Sequence, residues 1–368
     1  MAPLRPVSVR VLHPDPGPSA GPLERFLDRV RRRNGERHVR GFRAAGADDV
    51  AVLAGPPDDT SFGARLEGLR VSLSPGAGLV VLGSGSLPLA GRADRAAFVE
   101  VARGTSGPRA ALANNRYSAD AVAIAAAADL PAIPDLPGDN ALPRWLDERA
   151  GWTVTDLRRR WRLQVDLDSP LDVALAGTRW RHATVGSDAR LLATVLDHLA
   201  AIRALGADRH GELLVAGRTS ATSLRWLEVH AVCRVRALVE ERGLRASSIL
   251  AVGDGQAGAR SPGPRRPPRS VLGDLLDRAG PEALGPLVSE LADGALIDSR
   301  VLLAHRLGVD EGSWPSAEDR FASDLLRWVE IADPWLRALT QSAAEASIPI
   351  VLGGHTLVGP GIRLAVRP

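Results

Sequence analysis

The residues whose types and spacing could most readily do chemistry are Asp166, Asp168 and Asp172, in the stretch VDLDSPLD at 165–172. Val165 and Leu167 alternate with Asp166 and Asp168, which predicts a short strand, apolar on one face and acidic on the other where it ends. Ser169, Pro170 and Asp172 then read as a helix start: a capping hydroxyl, a proline at the first helical position and an acid in the first turn. Carboxylates at the carboxyl edge of an α/β sheet lie where such sheets take ligands. A pair of them suits a hard cation such as Mg²⁺ carrying phosphate oxygens. The competing reading is an acidic turn that only caps a helix.

Two earlier polar turns also follow apolar runs. Gly83, which closes LVVLG, is followed by Ser84, Gly85 and Ser86, and small residues there let backbone N–H groups approach a phosphate. Asn114, Asn115, Arg116, Ser118 and Asp120 follow strand-like RAALA, and the two amides could read a base or ribose. Each alone is also ordinary turn chemistry. If the strands are parallel, all three turns open on one edge of the sheet, around one crevice.

The second half has its own candidates. Arg218, Thr219 and Ser220 lie between the strand ELLVAG and a helix, where hydroxyls, free N–H groups and a guanidinium could hold an anion; a helix cap is the alternative. Asp298 and Arg300 follow GALI, and His355 sits in GGHTLVGPG after IPIVL. That glycine-flanked histidine is a better ligand or acid/base candidate than His198 or His230, which read as helix residues.

The elements that must hold these residues alternate along the chain. VSVRVL (7–12), 50–54 and LVVLG (79–83) read as strands, with helices at 23–45, 62–69 and 95–102. Residues 155–160 read as a short helix. Helical periodicity follows over 188–205, 224–242, 271–278, 281–292, 300–307 and 320–346, with strands at 212–217, SILAVG, GALID, IPIVLGG and a last strand IRLAV. The expected fold class is α/β, as two three-layer domains with mostly parallel sheets, over 1–183 and 184–368. The Gly/Pro/Arg segment 253–270 predicts a mobile loop.

Composition narrows the function. All 46 basic residues are arginine, so the pI near 10.1 reflects arginine's high pKa more than the net charge of +3. With aromatics at 4% and no aromatic-basic interleaving, a nucleic-acid partner is not expected. The absence of lysine excludes Schiff-base chemistry and a GxxxxGK[ST] phosphate loop. Cys233, the one cysteine, lies in a helical pattern and excludes an internal disulfide. With no run of about 18 apolar residues and no signal-like start, neither a membrane partner nor export is expected, and the reading is cytoplasmic. A homo-oligomer is compatible with the sequence. The tryptophans at 145, 152, 161 and 180 suit core packing better than a stacking platform.

The order of an LPL turn (Leu87, Pro88, Leu89), an Asn-bearing turn and D-x-D-S-P-x-D (Asp166 to Asp172) resembles the GT-A-type nucleotidyltransferases (nucleotide-diphospho-sugar transferase type). Within that type the pattern resembles especially the molybdenum-cofactor and 2-phospho-L-lactate guanylyltransferases. The likeness covers roughly the first 180 residues, about half the chain. It implies a GT-A-like first domain; the strand-helix alternation of the second half reads by itself as a Rossmann-like domain. The likeness also implies Mg²⁺ held by an acid before LPL and an acid of the D-x-D turn, and nucleotidyl transfer with pyrophosphate release. Here Asp168 matches the second acid, while Ser86 stands at the first. HPDPGPSAGP stands where the family carries a glycine-rich loop with a lysine. Two expectations follow. Either the metal site is rebuilt from Asp168, Asp120 and Asp166, with Arg116 in place of the lysine, or the domain binds a nucleotide or phosphorylated metabolite without turning it over. The alternatives are a silent scaffold or sensor, and a hydrolase or transferase active in the second domain.

Overall fold

In the computed structural model, the residues described are 5–56, 58, 60–136, 138–177, 187–240, 269–308 and 311–367. The chain divides into two compact units. Among the described residues, the first takes in 5–19 and 28–167, and the second 20–27, 168–240 and 269–367. The boundary expected at 183/184 and most of the segment 253–270, with the strand SILAVG, lie outside the described residues.

The first unit is built on six strands: β1 (Val7–Pro14), β2 (Asp49–Gly55), β3 (Gly78–Gly83), β4 (Ala110–Ala113), β5 (Ala121–Ile124) and β6 (Thr153–Asp156). They lie in the order β2-β1-β3-β5-β4-β6, and only β5 runs antiparallel to its neighbours. The alternation of β3 shows why the sheet is covered twice. Val80 and Leu82 face a core with Val9, Val11, Phe42 and Phe98, while Leu79 and Val81 face a second with Leu66, Ile124, Trp145 and Trp152. Phe42 and Phe98 come from the helices α1 (Pro22–Ala44) and α3 (Arg92–Ala102), and Leu66 from α2 (Phe62–Val71). Trp145 and Trp152 are thus core residues; Trp180 lies outside the described residues.

The second unit carries β7 (Glu212–Gly217), β8 (Arg234–Val239), β9 (Gly294–Asp298) and β10 (Ile350–Gly353), all parallel, in the order β10-β9-β7-β8. Residues 213–216, 295–297 and 350–352 are buried without alternation, as in a parallel sheet covered on both faces. No helix among the described residues is long and apolar enough to cross a membrane.

Several expectations are corrected. The strand expected at 165–167 is not a sheet strand: a 3-10 turn covers Trp161–Gln164, and what remains is one isolated bridge, Ser86 to Asp166. The helix expected at 224–242 is Ala221–His230, and Cys233 leads into β8, an edge strand whose arginines imitate the polar face of a helix. The short helix expected at 155–160 is absent: Thr155 and Asp156 instead end β6, a half-exposed edge strand. The reverse holds for IRLAV, which is the helix Ile362–Val366, because Ile362, Ala365 and Val366 share one buried face at i, i+3 and i+4. The helix expected at 320–346 is broken into Ala317–Asp324, a 3-10 turn and Pro334–Ala344, the last opening at the Asp333 cap and Pro334. The helix expected at 188–205 is likewise two pieces, Ser187–Leu191 and Ala193–Gly206.

Candidate functional site

In the first sheet the strand order reverses between β1 and β3, so their carboxyl ends open side by side at a topological switch point. The turn after β3 sits there. Its Ser84 N–H bonds Leu12 O at 2.8 Å and Ser86 N–H bonds Gly83 O at 3.1 Å. Leu87, which follows, holds a left-handed φ of 51° while buried, a conformation that needs outside support in a non-glycine residue.

That support comes from α1. Asn34 and His38, one turn apart and 0% exposed, reach the turn's carbonyls: Asn34 Nδ2 donates to Ser84 O at 2.8 Å and Ser86 O at 2.9 Å, and His38 Nε2 meets Ser86 O at 2.8 Å. Burial pushes the His38 pKa down to about 3, so the ring is neutral and its Nε2–H is the donor to Ser86 O. Neither residue was expected from the sequence. The signal was a polar pair at i, i+4 in register with Phe42, inside an arginine-rich helix.

The three polar turns of the first half do meet in part. Gly83 N–H bonds Asp120 O at 3.3 Å, and Ser86 bridges Asp166. Gly85 lies so close that a Cβ on it would be 3.1 Å from Leu167 O and 3.2 Å from both Arg31 Nε and Asp166 Oδ1. Gly83 is half-buried; Ser84, Gly85 and Ser86 are buried.

The Asn114 turn is spent on the fold. Asn114 Nδ2 donates to Asp120 Oδ2 at 2.8 Å and Leu163 O at 2.9 Å, and its Oδ1 accepts from Asp120 N at 2.9 Å and Ala121 N at 3.1 Å. That is the whole hydrogen-bonding capacity of an amide, so Asn114 has nothing left to read a base. Asn115 closes an Asx turn on Tyr117 N, and Ser118 is exposed. Arg116 Nη2 pairs with Asp147 Oδ2 at 2.5 Å and Glu148 Oε1 at 3.5 Å, so the guanidinium offered in place of the lysine already has two carboxylates.

Of the acids offered for Mg²⁺, Asp120 and Asp166 belong to the first unit and Asp168, exposed, to the second. Asp120 is bound by Asn114, and Asp166 Oδ1 accepts from Leu167 N at 2.9 Å. Among the described residues, the one group of three such side chains with converging ligand atoms is His13, Asp15 and Asp28, on β1, just after it and on α1. Burial depresses the His13 pKa, and Asp28 works against that shift.

The second sheet reverses between β7 and β9, and this crevice is charged. Gly217 ends β7 at φ 129°, and a Cβ on it would lie 2.3 Å from Asp298 Cβ, so only glycine lets the strand ends approach. Arg218 then forks onto Asp298, Nε to Oδ2 at 2.7 Å and Nη2 to Oδ1 at 3.1 Å. Arg300 forks onto Asp324 in the same way, Nη2 to Oδ2 at 2.7 Å, with Asp324 0% exposed. Burial works against the Arg300 charge, but Asp324, with Asp298 and Asp172 behind it, outweighs burial and raises its pKa. Asp172 accepts from Asp168 N at 2.9 Å and Ser169 N at 2.7 Å, as a first-turn acid should, yet burial, then Asp168 and Asp324, push it up to about 8. Thr219 is buried, Ser220 caps the helix Ala221–His230 through Ser223 N at 3.0 Å, and His355 is exposed at the carboxyl end of β10, with β9 between it and β7. Two arginine-carboxylate pairs, Arg218 with Asp298 and Arg300 with Asp324, thus set the charge of this crevice.

No family model matches the chain, and no curated protein matches it.

Proposed function

We propose that the protein binds a nucleotide or a similar phosphorylated metabolite at the carboxyl edge of its first sheet, on a GT-A-like unit followed by a Rossmann-like one. The observation that carries the reading is the reversal of strand order at β1 and β3, with the Gly83–Ser86 turn bridged to Asp166 beside it. α/β sheets take phosphorylated ligands at such reversals. Arg31, half-buried next to Gly85, supplies positive charge at the turn. The engaged states of Asp120 and Arg116 favour binding over turnover.

A second reading, Mg²⁺-dependent nucleotidyl transfer, is favoured by one observation, the contact of the D-x-D stretch with the turn before LPL. Both are tested by melting the protein with GTP, CTP, ATP or UTP, with and without Mg²⁺, in the wild type, Asp166→Asn and Arg31→Met. A ligand at about 100 times its Kd stabilises by roughly 2.7 kcal/mol, so one nucleotide should raise Tm in the wild type and much less in the variants. No rise with any nucleotide sinks the proposal. Pyrophosphate release with a phosphorylated acceptor in the same samples would move the protein to the second reading.

A further inference from the structure

β1 ends at His13 and Pro14 with Asp15 just after it, and the first-unit part of α1 begins at Asp28. The sheet register turns His13 inward, where its side chain is 1% exposed, and Asp28 and Asp15 stand progressively nearer solvent at 15% and 37%. His13 Nε2 lies 3.0 Å from Asp28 Oδ1 and 3.8 Å from Asp15 Oδ1, and the three ligand atoms fall within 4.8 Å of one another. Ligand atoms sharing one ion at about 2.1 Å are separated by about 3.0 Å in an octahedral site and about 3.4 Å in a tetrahedral one. The His13–Asp28 separation of 3.0 Å equals the octahedral value, and the His13–Asp15 separation of 3.8 Å is longer than either.

An independent observation points to a ligand. The contact is short but poorly aligned: His13 Nε2 and Asp28 Oδ1 are both buried, and neither completes a hydrogen bond within ordinary angular limits. A buried ring nitrogen and a carboxylate oxygen left facing each other in that way are both available to a shared cation. The other ring nitrogen is already fixed, since His13 Nδ1 meets Ser84 Oγ at 2.9 Å. A hydroxyl behind the imidazole is the arrangement that orients a metal-binding histidine and leaves its far nitrogen to the ion. Asp15 is anchored as well, its N–H bonding Gly55 O at 2.8 Å. Arg32, half-exposed, approaches from outside, with Nη2 3.1 Å from Asp15 Oδ1 and 3.8 Å from Asp28 Oδ2. It offsets one of the two carboxylate charges and leaves the inner face of the cluster to a cation.

We propose that His13, Asp15 and Asp28 bind a divalent first-row transition-metal ion, with Ser84 orienting the histidine. One imidazole nitrogen and two carboxylate oxygens favour Mn²⁺ or Zn²⁺ over Mg²⁺, which prefers oxygen alone, and leave positions for water or a ligand oxygen. The site does not depend on nucleotide binding.

The test uses the chelator-treated full chain with MnCl₂, ZnCl₂ or MgCl₂ and no nucleotide, followed by calorimetric titration and by the electron paramagnetic resonance signal of free Mn²⁺. One Mn²⁺ per chain should bind, with Mg²⁺ weaker by tenfold or more. Asp28→Asn and Asp15→Asn should each weaken Mn²⁺ at least tenfold, and Ser84→Ala by about 10–100-fold, as loss of an orienting partner does. Arg32→Ala should leave binding in place. Because Asp15 is partly exposed, Asp15→Asn should keep the metal-free melting temperature, which separates loss of a ligand from loss of the fold. Wild-type binding no stronger than in an Asp15→Asn/Asp28→Asn double variant, or unchanged by Asp28→Asn, overturns the proposal.

Discussion

Replacing Arg300 by methionine removes the guanidinium that forks onto Asp324, a carboxylate with 0% side-chain exposure. Asp324 keeps the Ser169 hydroxyl, which is too little to hold a buried charge. Breaking a buried pair from one side costs about 3–5 kcal/mol, far above what an exposed pair contributes. For a unit of 150–250 residues, each kcal/mol moves Tm by about 2–4 °C, so calorimetry should find Tm lower by about 6–20 °C at pH 8. The deficit also has a signed pH dependence. Burial already raises the Asp324 pKa in the wild type, so the folded state holds the proton more tightly than the unfolded one, and stability falls as pH rises through that window. Without Arg300 the rise in pKa is larger, so the Arg300→Met deficit should shrink as pH is lowered towards 5. A further Asp324→Leu change should recover at least about 2 kcal/mol relative to additivity, since it removes the stranded charge. A loss below about 1 kcal/mol at pH 8, or strict additivity in the cycle, would refute the argument.

Two further outcomes follow from the geometry. Gly217→Ala must place a Cβ against Asp298 at φ 129°, and it should lower the urea midpoint by an amount worth about 1–3 kcal/mol from backbone strain alone; an unchanged midpoint would show that the strand ends can part freely. His38, with its folded pKa near 3 against 6.5 when unfolded, binds fewer protons folded than unfolded between those values, so stability should fall as pH drops from 6.5 towards 3. At pH 4.5 its share is about 2.7 kcal/mol at 1.36 kcal/mol per pKa unit, and His38→Gln should flatten the urea-midpoint profile over that range. A titration of His38 near pH 6.5 by NMR would refute it.

What the sequence showed plainly was what depends on local period. Val7, Val9 and Val11 alternate and 79–83 is apolar throughout, so β1 and β3 were legible, as was the span of α1. The edge strands β6 and β8 were not, because only about half of each is covered and their polar residues fall at spacings a helix shares. The turn Gly83–Ser86 announced itself through glycine. Its support by Asn34 and His38, and the meeting of His13 with Asp28, arise only when α1 packs back beside β1 and β3, and no window of sequence holds both partners in register. Asn114 shows the opposite limit: an exposed-looking amide can be consumed by its own turn.

The antiparallel strand β5 sets an order of events during synthesis. Val122 pairs with Ala113 across a short turn but with Val81 on β3 from far up the chain. The β4–β5 hairpin can close locally and then dock, whereas β3 cannot find that partner until residue 124 has been made. Until then β3 presents an open, wholly apolar edge through Leu79 and Val81. A chain halted between β3 and β5 is therefore a template for pairing with another copy of itself, and the completed hairpin is what retires that edge.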